Sequence, residues 1–294
     1  MPELPDVEVY RSALAQRIVG TPLIDVAIVH PFVLRTVVPP IASALGKTVQ
    51  RVRRLGKRIV IDFDGGLHLV IHLMVAGRLR WLTEGAKGPA RITLARFVFA
   101  AGTLLLTEAG SKRRASLHLV EGDAALAAFD KGGLEVEDID LAAFDARLRS
   151  ENHTLKRALT EPALFSGIGN AYSDEILHRA KLSPLALTSK LPPEAVATLY
   201  TAAREVLAEW RDRLLAEAGG DFPANVTAFR PQMAVHGRYG KPCPVCGAPV
   251  QRIVYAENEC NYCARCQTGG AVLADRALSR LLHKSWPRSI DELG

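Results

Sequence analysis

The sequence predicts an α+β protein of more than one domain: a β-rich N-terminal part flanked by a helix, a helical second part, and a small cysteine-clustered module towards the C-terminus. Three observations carry this. Paired apolar runs around Asp64-Gly65-Gly66 and Ala101-Gly102 read as hairpins. Beyond Gly132-Gly133 the period of the apolar residues changes from that of strands to that of helices. All five cysteines fall between Cys243 and Cys266. That clustering suits a metal in a reducing cytosol, since a disulfide framework would spread cysteines through the chain. A length of 294 residues gives a prior of about two domains.

The elements follow in order. Asp6 to Ile18 reads as a helix because Val7, Tyr10, Leu14 and Ile18 recur every three or four positions, and Asp6 and Glu8 suit the positive end of its dipole. Ile59–Phe63 and Leu67–Leu73 are strands, as are Arg91–Ala100 and Thr103–Thr107. Several short strands joined by tight turns suggest a sandwich or flattened barrel. Between strands, Arg51 to Arg58 holds five cations in eight residues, and Lys112-Arg113-Arg114 is a second cluster. Each is either a solvated surface or a set of phosphate contacts. Gly132-Gly133 and the acidic stretch Glu135 to Asp140 read as a linker. Helices are expected over Leu141–Arg149, Thr154–Glu161, Gly169–Ala180 and Pro193–Ala218, the last entered through Pro192-Pro193-Glu194 and ended by Gly219-Gly220. Leu273, Ala277, Leu278, Leu281 and Leu282 mark a C-terminal amphipathic helix, read as a packing element.

Charge and hydropathy narrow the class. A net charge of +6 permits a polyanionic partner without requiring one. The N-terminus lacks the basic flank and apolar run of a signal peptide, and no apolar stretch approaches the ~20 residues of a membrane span; the run Leu69 to Ala76 is broken by His72.

Three stretches carry chemistry. Removal of Met1 would leave Pro2 with a free secondary amine, able to form an iminium with an opened sugar aldehyde, and Glu3 sets an acid or base beside it. Gly167-Ile168-Gly169 makes a tight turn from which Asn170 opens a helix, whose N-terminal N–H groups suit an anion. Cys243-x2-Cys246 and Cys263-x2-Cys266 have the spacing of a four-cysteine structural zinc site, closed to a catalytic water. Cys260 is left over, although its spacing to Cys263 imitates a knuckle.

Taken together, Pro2-Glu3-Leu4-Pro5, Lys57, His72-Leu73, Gly167-Ile168-Gly169-Asn170 and the finger ending Arg265-Cys266-Gln267 resemble the formamidopyrimidine-DNA glycosylase/endonuclease VIII family, from residue 2 to about 267. The resemblance implies an N-terminal β-sandwich domain with a flanking helix (1–133), a helix–two-turn–helix domain (134–232), a zinc-finger β-hairpin with one structural Zn2+ (233–268) and an extension (269–294), with DNA lying between the domains. It implies Pro2 as the nucleophile at C1′, Glu3 as the acid at the sugar ring oxygen, and Lys57 as a phosphate ligand that assists β-elimination. Asn170 would hold a phosphate, and Arg265, at the finger tip, would hold phosphates and assist δ-elimination. His72 would also contact DNA. The gap left by an extruded nucleotide would be filled by Arg113 and by Val75 or Met74.

Departures from the family pattern are specific. Ala115 stands where a void-filling Phe is usual, and Gly110-Ser111-Lys112 replaces an Asp-Pro before the paired arginines. A phosphate-binding His is missing near Pro89 to Arg91, Asn152 replaces a Lys, and Gly219 to Gln232 is short for the loop that caps an oxidised purine. The expectation is a bifunctional DNA glycosylase and AP lyase that acts as a monomer on oxidised bases of the formamidopyrimidine and 8-oxoguanine type in duplex DNA, in a bacterial-type cytoplasm, at the nucleoid. Rival readings are a protein that grips damaged DNA without turnover, or the same chemistry on oxidised pyrimidines, abasic sites or bulky adducts.

Overall fold

The computed structural model describes all residues except 84–85, 111, 225, 228, 256–257, 275–286 and 293–294. The chain forms two compact units: Met1–Lys131 with Trp210–Thr227, and Gly132–Glu209 with Ala228–Gly294.

The first unit opens with α1 (Leu4–Ile18), followed by β1 (Asp25–Ile28), β2 (Val49–Leu55), β3 (Arg58–Phe63), β4 (Leu67–His72), β5 (Gly77–Leu82), β6 (Thr93–Phe99), β7 (Gly102–Glu108), β8 (Ser116–Glu121) and the short α2 (Asp123–Ala127). Two antiparallel four-stranded sheets result, in the orders β1-β6-β7-β5 and β2-β3-β4-β8. Strand alternation sends Ile59, Ile61, Leu69, Ile71, Leu117 and Leu119 of one sheet, and Phe97, Phe99, Leu104 and Leu106 of the other, into one buried cluster with Val7, Tyr10 and Leu14 of α1. The expected sandwich and both expected hairpins are present.

Two differences from the sequence expectation have physical causes. Arg51 to Leu55 does not lie between strands but forms most of β2, because Val49 and Val52 supply its buried face while the arginines find an acid across the ladder. Asp62, 3% exposed, accepts from Arg51 Nε at 2.6 Å, from Arg53 Nε at 2.7 Å and from His68 Nδ1 at 2.6 Å. The boundary drawn at 134 to 232 is also interrupted. Trp210–Thr227 belongs to the first unit, where Phe222 lies 5.7 Å from the Tyr10 ring and 6.1 Å from the Trp81 ring, and Val226 joins the core.

The second unit contains α3 (Leu141–Arg149), α4 (Leu155–Thr160), α5 (Asn170–Arg179), the first part of α6 (Pro193–Ala218), the hairpin β9 (Gln251–Tyr255) and β10 (Asn258–Tyr262), and α7 (Ala264–Thr268). Asp140 caps α3 by accepting from the Ala143 N–H at 2.8 Å, and the Thr154 hydroxyl caps α4. Phe144 stacks on Phe165 with ring centroids 4.8 Å apart. Of the expected C-terminal helix, Ala277, Leu278, Leu281 and Leu282 lie outside the described residues, whereas Leu273 and Ile290 pack into the cysteine module.

Candidate active site and metal centre

The N-terminus is fixed by helix capping. Glu3 is the N-cap of α1 and its carboxylate accepts from the Asp6 N–H, while the Glu3 N–H donates to Asp6 Oδ2 at 3.0 Å. This reciprocal capping box satisfies two helix-end donors and immobilises both carboxylates. Pro2 is buried and Glu3 is 2% exposed. With Met1 present the Pro2 nitrogen is a peptide nitrogen, standing in for the secondary amine that Met1 removal would release. Burial is the largest influence on the Met1 ammonium and lowers its pKa below 8.0; Glu3 and Asp6 oppose that shift, and Arg78 and Lys57 reinforce it. The same burial and the same two cations would favour the neutral form of an amine released at Pro2.

Strand ends deliver the other groups. Lys57 occupies the turn between β2 and β3. His72 closes β4; burial, reinforced by Arg58, Lys57 and His118, lowers its pKa to about 4, so at neutral pH it is an uncharged hydrogen-bonding group. The chain then turns sharply. The Gly77 N–H donates to Leu73 O at 2.9 Å, and a Cβ at Gly77 would lie 2.3 Å from that oxygen. Arg78 braces the turn by donating to Val75 O at 3.1 Å and Gly77 O at 2.7 Å. The turn presents Val75, 58% exposed, while Met74 is half-buried, so Val75 is the outward residue of the two.

Arg113 is exposed, and its guanidinium donates to Arg91 O at 3.3 Å. Buried Glu108 anchors the following residues, accepting the Arg114 N–H at 3.1 Å and the Ala115 N–H at 2.9 Å. Ala115 is buried and offers no side chain to fill a void.

In the second unit Asn170 is the first residue of α5, entered through Gly167 at φ 79° and buried Ile168. Its Nδ2 donates to Glu259 O of β10 at 2.8 Å. The metal-ligating atoms of Cys243, Cys246, Cys263 and Cys266 all lie within 4.8 Å of one another, with Sγ separations of 3.9 Å for Cys243–Cys266 and 3.4 Å for Cys246–Cys263. Four sulfurs about 2.3 Å from a tetrahedral Zn2+ would be spaced about 3.8 Å apart, so this set fits one structural ion. Cys260 is buried outside the set.

The chain matches three family models. Residues 1–114 match the formamidopyrimidine-DNA glycosylase N-terminal domain, 133–210 its H2TH domain, and 240–269 a zinc finger found in FPG and IleRS. A formamidopyrimidine-DNA glycosylase of Variovorax paradoxus is 36% identical over 280 residues, covering 91% of this chain and all of the relative. The chain belongs to the formamidopyrimidine-DNA glycosylase family. The Thermus thermophilus member is 32% identical over 284 residues, covering 92% of this chain and all of its own. A Lactococcus lactis member, crystallised with DNA containing an abasic site, superposes with a TM-score of 0.80 at 29% identity, over 90% of this chain and 99% of that one. The same protein with Fapy-dG-containing DNA gives a TM-score of 0.80.

Against the glycosylase frame, one expected position needs correction. Arg265 is not at the finger tip. It lies on α7 between Cys263 and Cys266, beyond the end of β10 that is remote from the hairpin turn, and it pairs with Asp291 at 3.3 Å. Its place is dictated by the knuckle: three residues after Tyr262 the backbone curls to present Cys266.

Sequence reasoning also missed several residues. Arg78 carried no motif. Lys156 Nζ donates to Asn170 O at 2.6 Å, Ser173 Oγ at 2.8 Å and Asp174 Oδ1 at 2.5 Å. Asp174 Oδ2 accepts from His236 Nδ1 at 2.8 Å, and Glu175 accepts three N–H groups, from Ala234, Val235 and His236, at 2.7 to 2.9 Å. His178 Nε2 lies 3.2 Å from Cys243 Sγ, as an outer partner that orients the thiolate. The available signal was Ser173-Asp174-Glu175 itself, three polar residues inside a helix whose neighbours Tyr172, Ile176 and Leu177 are all buried.

Proposed function

We propose that this chain removes oxidised bases of the formamidopyrimidine and 8-oxoguanine type from duplex DNA and nicks the strand, working as a monomer. The observation that carries the reading is the N-terminus: buried Pro2, Glu3 locked by the capping box, and Lys57 and Arg78 close enough to bias the amine. Once Met1 is removed, the Pro2 nitrogen attacks C1′ and the glycosidic electron pair leaves with the base, which takes up a proton. Glu3 protonates the ring oxygen, so the sugar opens and an iminium forms on Pro2. The iminium acidifies C2′; loss of that proton expels the 3′-phosphate, and δ-elimination then expels the 5′-phosphate. Lys57 holds a phosphate during these steps, and Asn170, with one amide hydrogen left after its bond to Glu259, holds another. Arg265 retains a phosphate contact only if it leaves Asp291.

One observation favours a second lesion class. Ala115 is buried where a large ring would fill the vacated stack, which suits oxidised pyrimidines, abasic sites or bulky adducts. A panel of lesion-bearing duplexes, scored for base release and nicking, separates the two classes. Borohydride should trap mature protein on an abasic duplex, and a retained Met1 or an N-terminal tag should abolish trapping, because an amide nitrogen is not nucleophilic. Trapping that survives the tag would transfer the role to a lysine such as Lys57. Absence of trapping on every abasic substrate would leave only damaged-DNA binding.

A further inference from the structure

The first unit contains an open cavity of about 860 Å³ lined by His30, Phe32, Arg91, Glu108 and Arg113, among others. Its unusual member is Phe32, 74% exposed. That exposure is imposed by the surrounding chain. Val33 is buried in the core beside it, Pro31 restricts the preceding backbone, and the segment is pinned at both ends: the His30 N–H donates to Leu94 O at 3.0 Å and the Arg35 N–H to Leu117 O at 2.8 Å. Phe32 is therefore held outwards on a short, anchored turn. The His30 ring lies 5.8 Å from it, tilted by 53°, and extends the aromatic surface.

The electrostatics select what would lie there. Arg91 and Arg113 are both exposed on the cavity wall. The one acid among the described residues of the wall, Glu108, is buried, and both its oxygens accept backbone N–H groups. An aromatic face flanked by two guanidiniums suits a flat, hydrogen-bonding π-system attached to phosphates.

We propose that Phe32, backed by His30, is a base-stacking platform: a DNA base lies on its ring with the Arg113 guanidinium at the base edge. This supplies from another strand connection the aromatic surface that Ala115 lacks. The inference rests on the chain acting on DNA, and its test separates the two readings.

The probe is a duplex carrying a tetrahydrofuran abasic analogue opposite 2-aminopurine, bound by full-length mature protein. Wild type should quench the 2-aminopurine emission. Phe32→Ala should lose the quench and bind at least about tenfold more weakly, the size of one base–aromatic stack. Phe32→Trp should stay within about threefold of wild type. Because Phe32 is exposed, Phe32→Ala should unfold at the wild-type temperature. Borohydride trapping on a single-stranded abasic oligonucleotide should be equal in both proteins, since no opposing base is present. If wild type traps the abasic strand while Phe32→Ala binds the duplex as tightly and quenches as fully, the platform is refuted and the catalytic reading stands. If nothing traps but Phe32→Ala still loses binding and quench, the platform stands and the catalytic reading falls. Equal weakening by Phe32→Trp and Phe32→Ala would also refute stacking.

Discussion

Asp6→Ala is the most direct perturbation of the proposed nucleophile's setting, because Asp6 touches no expected substrate group yet holds the N-terminus in place. Asp6 is fully buried, and its Oδ2 accepts the Glu3 N–H at 3.0 Å. Losing a cap costs about 0.5–2 kcal/mol, and losing a hydrogen bond to a charged acceptor about 1.5–3 kcal/mol. These describe the same bond, so the expected cost is about 1–3 kcal/mol. For a unit of this size that lowers the melting midpoint by roughly 3–9 °C. Glu3 would lose one of its two capping bonds and its fixed position, so the single-turnover trapping rate on an abasic duplex should fall at least about tenfold. Affinity for the tetrahydrofuran duplex should change by no more than about twofold. Asp6→Asn keeps an oxygen acceptor and should recover most of the stability. It also removes a negative charge that raises the terminal amine's pKa, so its trapping-versus-pH midpoint should move to lower pH. Calorimetry and quenched-flow trapping measure both effects. An Asp6→Ala variant with wild-type melting and trapping would show that the capping box does not position the nucleophile.

The metal centre predicts one zinc per chain by elemental analysis; Cys263→Ser should lose it while the N-terminal unit keeps its melting transition, and metal-free purified protein would refute the site. Arg51→Ala should leave the slope of log affinity against log salt unchanged, because Asp62 engages that cation, whereas Lys57→Ala should flatten it by about 0.9; equal slopes for all three proteins would remove Lys57 as a phosphate ligand. His72, held near pKa 4 against about 6.5 when unfolded, sets an acid limit. Above pH 6.5 it is neutral in both states and contributes no pH dependence, between 6.5 and 4 the unfolded chain takes up the proton first, and below 4 the difference is constant. Stability should fall by up to about 3 kcal/mol across that window, and denaturant titrations of His72→Gln should lack this component.

Much of the architecture was legible because it rests on local rules. Asp64-Gly65-Gly66 and Ala101-Gly102 announced their hairpins, and Pro193 and Gly219-Gly220 bounded the long helix, since turn chemistry and capping are written in adjacent residues. The cysteine spacing was sufficient for the metal centre for the same reason. What sequence reading missed depends on partners distant along the chain. Nothing near Phe222 says that it packs against Tyr10 and Trp81, so the return of Trp210–Thr227 to the first unit was hidden. Nothing in the string Cys263-Ala264-Arg265-Cys266 separates a knuckle from a hairpin tip, a distinction that rests on where β10 ends.

The basic run Arg51 to Arg58 shows why the candidate site was only half legible. As a string, five cations suggest a phosphate track. In the fold, alternation along β2 sets Arg51 opposite Asp62 on β3, and Arg53 and His68 converge on the same buried carboxylate. Burial pushes the Asp62 carboxyl up, but these partners outweigh it and hold the carboxyl below its usual range. Arg54 faces Glu8 on α1 at 3.5 Å, and Arg58 donates to Phe129 O at 3.3 Å. Much of the apparent charge therefore stabilises the sheet and its flanking helix. Lys57 differs in its place: it sits in the turn between β2 and β3, outside the paired register, and its charge is felt at the N-terminal amine. The composition of a basic stretch counts its charges; the register of the strand decides which acids those charges meet.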